Sequence, residues 1–185
     1  MIYSWAKICL EGTHDSVTGL VGPWLIDTYW YVPALYLPAL LAINDRTPRI
    51  VTVQDQTVWH ITDYSNGYVS GISASNIGFG WSYMLIVGSI SPNRTVKLSF
   101  SPRTDCNSAD PQTQSITIDD GTVLGEGKYA EFLMQMTSGT PATSLTHWAR
   151  MLPVTPADSE WSSLPGYPTT GVPDLTALQT PILHK

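Results

Sequence analysis

Glu126 stands between two glycines in the stretch Thr-Val-Leu-Gly-Glu-Gly-Lys-Tyr. Glycine inside a strand marks a bulge or a close approach by a ligand or another backbone. An inward-pointing Glu126 would have its pKa raised by desolvation, which makes it a candidate general acid or base. The plainer alternative is a solvent-facing carboxylate opposite Lys97 or Lys128. His147, beside Trp148, is a second candidate because imidazole titrates near neutrality; the bland alternative is a buried, hydrogen-bonded histidine. His60, between Trp59 and Ile61, reads the same way. Tyr83 completes the candidate catalytic set of Glu126, His147 and Tyr83. There is no Gly-x-Ser-x-Gly, no P-loop, no His-Glu-x-x-His and no Gly-x-Gly-x-x-Gly opening a helix, so neither a cofactor nor a metal is expected. What remains is chemistry without a strong nucleophile. It would fold a mostly apolar substrate against aromatic rings, with one hydrogen bond to a polarised carbonyl. Holding reacting ends in near-attack geometry lowers a barrier substantially. Trp81, Tyr83, Phe100, Phe132, Met134 and Trp148 are candidates for the wall, and Tyr64, Tyr68 or Gln135 for the hydrogen-bond donor. Each is equally readable as ordinary core.

The elements that would position these groups are strands. Between Val58 and Leu152 no segment has a convincing helical period, and apolar-aromatic runs alternate with turn residues. The strongest unit is Val58–Asp63 and Tyr68–Ala74 around Ser65-Asn66-Gly67, where Asn-Gly tolerates the positive φ of a two-residue hairpin turn. Trp81–Ile90 and Thr95–Ser101 pair across Ser91-Pro92-Asn93-Arg94. Ser115–Ile118 and Thr122–Tyr129 are read as pairing across a turn at Asp119-Asp120-Gly121. Ala130–Thr137 and Leu145–Leu152 are read as pairing across a loop at Ser138–Ser144. Upstream, Trp24–Tyr31 looks like a first strand, Pro33–Ile43 a short helix or an apolar loop, and Ile50–Val53 a strand followed by a turn at Gln54–Thr57. Trp81–Ile90 is apolar on both faces, with Trp81, Tyr83, Leu85 and Val87 on one side and Met84, Ile86 and Ile90 on the other. Such a strand wants cover on both sides, which makes a homo-oligomer packed through its walls a fair expectation.

Composition narrows the classes. The chain has 185 residues, only 13% of them charged, with seven Trp, nine Tyr and three Phe. Nine Lys and Arg face fifteen Asp and Glu, for a net charge of −6, and there is no basic run. Nucleic acid and anionic membrane surfaces, both of which need clustered cations, are therefore not expected partners. Cys9 and Cys106 define neither a disulfide framework nor a zinc site, and whether they are free or bridged stays open. The first residues lack the pattern of a signal peptide, and the apolar stretch Val32–Ile43 is too short for a membrane span, so a cytoplasmic protein is expected. Six of the fourteen prolines lie at or after position 153, which rules out regular helix or central strand in that tail.

The order of segments resembles the calycin barrels, the group of lipocalins, fatty-acid-binding proteins and avidins. Gly22-Pro23-Trp24 is similar to the Gly-x-Trp that opens the first strand in that group. "SNGYVSGISAS" resembles the avidin turn and ligand-binding strand, and "KYAEFLMQMTSGTPATSLTHWARML" resembles its last two strands. The resemblance implies ligand contacts at Ser73, Ser75 and Trp148. Ile26, Trp30 and Met134 stand where a biotin site would need other residues, so biotin itself is not expected. At the level of architecture alone, the chain is also similar to small β-barrel cyclases of natural-product pathways, which resemble spirotetronate cyclases.

The reading is an all-β, antiparallel up-and-down meander closed into a barrel of about eight strands. Residues 1–20 form an N-terminal extension, 21–152 the barrel, and 153–185 a Pro-rich tail packed on or over it. The expected function is binding of a largely apolar small molecule in the interior, with its cyclisation or isomerisation in a biosynthetic pathway. The alternatives are a non-catalytic carrier and a structural module with a filled barrel.

Overall fold

The computed structural model describes residues 25, 29–32, 36–43, 46–77, 82–102, 116–125, 129–140 and 142–154, and all ten elements within them are strands. They are β1 (Tyr29–Tyr31), β2 (Tyr36–Ile43), β3 (Arg49–Gln54), β4 (Gln56–Ser65), β5 (Tyr68–Asn76), β6 (Ser82–Ile90), β7 (Thr95–Pro102), β8 (Ile116–Leu124), β9 (Glu131–Thr140) and β10 (Thr143–Val154). Asn66 and Gly67 take φ of 51° and 83°, the left-handed pair that turns β4 into β5 with a twist matched to the strands.

Strands β4 to β10 form an antiparallel meander, and β1 pairs with both β4 and β10, closing an eight-stranded barrel. The remaining strands, β2 and β3, are not part of the closed wall. β1 lies along Leu152–Val154 of β10, while β2 lies along Thr143–His147 of the same strand. On their other side β1 meets β4 and β2 meets β3. β1 and β4 are thus barrel wall, and β2 and β3, which lie between them in sequence, pair with each other as a hairpin that extends from it. The β2–β10 ladder ends at the Ala39–His147 pair, next to Pro38.

Alternation along the strands sorts side chains to two faces. Trp30, Trp59, Ile61, Met84, Ile86, Leu98, Phe100, Phe132, Met134, Met136 and Met151 point inward and form the main core. Trp30 packs edge-on to Phe132 with ring centroids 4.6 Å apart, and Trp59 meets Phe100 at 5.5 Å. Large inward residues need room from their neighbours. A Cβ at Gly121 would collide with the Leu133 carbonyl and the Met134 sulfur, so only glycine allows β8 to approach β9 here. A second, smaller cluster of Tyr29, Tyr31, Val58, Ile72, Ala74 and Val154 lies on the outer face, with Tyr83 against it.

Three sequence expectations are corrected. Tyr36–Ile43 is strand, not helix or loop, because β10 and β3 supply ladders on both sides. Asp119-Asp120-Gly121 is no turn but the middle of β8, paired residue by residue with β7 and β9. Two flanking ladders override the turn propensity of these residue types. The chain instead turns after Leu124, where Gly125 takes φ of +67°. The expected loop at Ser138–Ser144 is also mostly strand, since β9 runs to Thr140 and β10 begins at Thr143. No helix among the described residues is long and apolar enough to cross a membrane. Cys9, Cys106 and the terminal segments lie outside the described residues.

Candidate functional site

The barrel interior has two unlike halves. Toward the tight turns β4–β5 and β6–β7 the buried residues described are apolar: Ile61, Val69, Ile90, Val96, Val123, Phe132 and Met151. Toward the opposite end, where β4 and β10 begin, it carries Asp55, Thr57, Ser73, Thr117, Asp119 and His147, all buried. Ser75 and Ser138 stand half-buried beside them.

Asp55 sits at the break between β3 and β4 and is 0% exposed. Its Oδ2 lies 2.8 Å from His147 Nε2, and its Oδ1 accepts a 2.6 Å hydrogen bond from Thr57 Oγ1. Thr57 Oγ1 is 2.8 Å from Ser75 Oγ, so the polar chain runs from β10 to β5. Where the β2–β10 ladder stops, the Asp55 carboxylate, from the break between β3 and β4, reaches His147. A carboxylate at Nε2 favours the tautomer with its proton there and leaves Nδ1 as the basic nitrogen. Nδ1 has no partner among the described residues.

Asp119 is 1% exposed, on the inner face of β8. Burial is the main cause that raises its carboxyl to about 8. The Thr137 backbone N–H lowers it, while the charges of Asp55 and Asp120 raise it further. Asp119 therefore carries its proton at neutral pH and can donate it. Its Oδ1, like the Ser73 Oγ, is buried without a partner among the described residues. Asp119 and His147 lie on the same inner row, each directly opposite Met136. Among the described residues no three His, Cys, Asp or Glu side chains are grouped so as to hold a metal ion.

The candidates from sequence separate cleanly. His147, Ser73, Phe100, Phe132 and Met134 point into the barrel and are buried, and Ser75 is half-buried at its polar end. Tyr64 packs against the core from the tight-turn side. Tyr83 faces outward against the smaller cluster, and Gln135 is exposed. Tyr68 is 71% exposed and Trp148 57%, both on the outer wall. Glu126 and Trp81 lie outside the described residues. His60 is half-buried and stacks on Tyr29 at 4.4 Å. The aromatic wall is thus divided, with Phe100, Phe132 and Met134 inside and Tyr83 and Trp148 outside. Sequence reasoning missed Asp55 and Asp119 because both were assigned to turns. The available signal was alternation: Ile118 and Asp120 on one face of β8, Thr117 and Asp119 on the other.

No protein-family model matches the chain, and no curated protein matches its sequence.

Proposed function

We propose that this barrel takes a small, largely apolar molecule bearing a carbonyl group into its polar half and isomerises or cyclises it by acid–base chemistry without a cofactor. The observation that carries the reading is the burial of neutral Asp119 together with the Asp55–His147 pair in one interior. Desolvating ionisable groups costs several kcal/mol each, and apolar replacements of similar volume often stabilise, so a barrel needed only for packing has little reason to keep three. In this reading Asp119 protonates or hydrogen-bonds the carbonyl, and His147 Nδ1 accepts a proton from the substrate while Asp55 orients the ring. Met136, between Asp119 and His147 in register, is unbranched and adaptable, and its displacement joins the two groups.

Trp59 lies opposite Ser73 on the neighbouring strand and serves as the reporter. Conjugated ketones and polyenones should quench tryptophan fluorescence, and turnover should follow by absorbance. Asp119→Asn should keep binding and lower kcat by roughly 10²–10⁴-fold. Quenching without turnover favours a carrier, and neither signal across the panel removes the reading. One observation favours the filled structural barrel: Trp30, Trp59, Phe132 and Met134 are at most 1% exposed.

A further inference from the structure

The unpartnered atoms buried in the barrel interior differ in what each can exchange. Among the described residues there are three, Ser73 Oγ, Asp119 Oδ1 and His147 Nδ1. His147 Nε2 faces the Asp55 carboxylate at 2.8 Å, so the ring proton is assigned to Nε2 and Nδ1 is an acceptor. Asp119 is the converse case. Its carboxyl is buried, the charges that act on it are the carboxylates of Asp55 and Asp120, and it stays protonated at neutral pH. It accepts a hydrogen bond from the Thr137 backbone N–H. Because Oδ1 has no partner, that bond falls on Oδ2, and the acid proton belongs on Oδ1. The Ser73 hydroxyl can donate or accept and so demands neither. The interior therefore presents one unmet donor, on β8, and one unmet acceptor, on β10.

Strand register fixes what lies between them. Asp119 and His147 are both directly opposite Met136 of β9, so the three share one row of the inner face. Two ladder steps set the Asp119 and His147 backbones roughly 10 Å apart. On a closed wall, inward side chains of neighbouring strands converge. Met136 is buried in this row, and neither unmet atom bonds to its sulfur. A molecule that satisfies both must carry an acceptor and a donor along one edge. A carbonyl beside an N–H does so, as in the cis amide of a lactam. A plain ketone satisfies Asp119 alone.

We propose that the interior selects a lactam or other cis amide, whose carbonyl accepts from Asp119 Oδ1 and whose N–H donates to His147 Nδ1, and that Met136 is the side chain this edge displaces. The inference rests on the interior site of the proposed function and narrows its ligand from any carbonyl compound to an amide. Calorimetric titration of the full chain with three rings of similar size tests it: δ-valerolactam, N-methyl-δ-valerolactam and cyclohexanone. The lactam should bind about tenfold more tightly than either of the others, the value of one well-made hydrogen bond. Met136→Ala should tighten binding of all three rings about tenfold, because the space is already clear, and saturating lactam should restore part of the thermal stability that the truncation removes. Met136→Leu conserves volume and keeps the test open should the alanine variant not fold. Its stiffer, branched chain should weaken lactam binding, and unchanged affinity there overturns the role of Met136. Unimproved binding by folded Met136→Ala does the same. Equal affinity for the lactam and its N-methyl form overturns the amide edge while leaving a carbonyl site standing. Binding of no ring, by parent or variant, removes both this inference and the reading it rests on.

Discussion

The two halves of the barrel interior differ in what they ask of their neighbours. In the apolar half, Phe132 touches Trp30 and Trp59 at ring distances of 4.6 and 5.9 Å, and packing satisfies every group. In the polar half, each buried oxygen or nitrogen needs a directional partner, and three atoms, on Ser73, Asp119 and His147, have none among the described residues. The first half can be stable by shape alone. The second holds groups that desolvation makes expensive, and it keeps one carboxyl neutral as a result. Stability and chemistry are thus separated along one barrel, with β8 and β10 running through both.

The contrast can be broken most forcefully from the apolar side. Phe132→Ala should cost about 3–5 kcal/mol in urea unfolding, through lost transfer energy and the cavity left behind. Close behind it, Asp55→Ala should cost about 3 kcal/mol by leaving His147 buried without its partner, and the loss should shrink when His147 is replaced by Leu in the same chain.

Asp119→Asn should act in the opposite direction, and only at the higher pH. The native carboxyl titrates at about 8 against an ordinary 3.8, so between these values the folded chain holds a proton that the unfolded chain has released. Stability from this group is fully present below pH 4 and is lost as pH rises to 8. At pH 7 the Asn variant should be more stable than the parent by roughly 2–4 kcal/mol. The two should converge near pH 4, as read from unfolding midpoints across that range. A parent whose stability difference from the variant is flat between pH 4 and 8 would mean that Asp119 is ionised in the fold. The smallest effect belongs to the outer wall: Trp148→Ala should change stability by no more than about 0.5 kcal/mol, despite the size of the side chain.

Much of the architecture was legible in the chain. The Asn-Gly turn, the alternation in Thr95–Ser101 and the turn at Ser91–Arg94 all specify hairpins locally, and their succession implies a closed meander. Less of the site was legible. His147 was a candidate by residue type, whereas its partner Asp55 lies 92 residues away in sequence and meets it only through the pairing of distant strands, where the β2–β10 ladder ends at His147. Asp119 was hidden for a different reason. Asp-Asp-Gly is a good turn by local propensity, and only ladders from β7 and β9 hold it extended.

The sequence by itself determined that the chain forms short antiparallel strands, where most of them turn, and that their apolar faces must be buried, because these follow from backbone preference and side-chain period. Only the tertiary structure decided which face of each strand points inward, and so which rings are core and which are wall. It alone brought a carboxylate, an imidazole and a neutral acid into one interior, since contacts between distant strands depend on register and closure, which no local window contains.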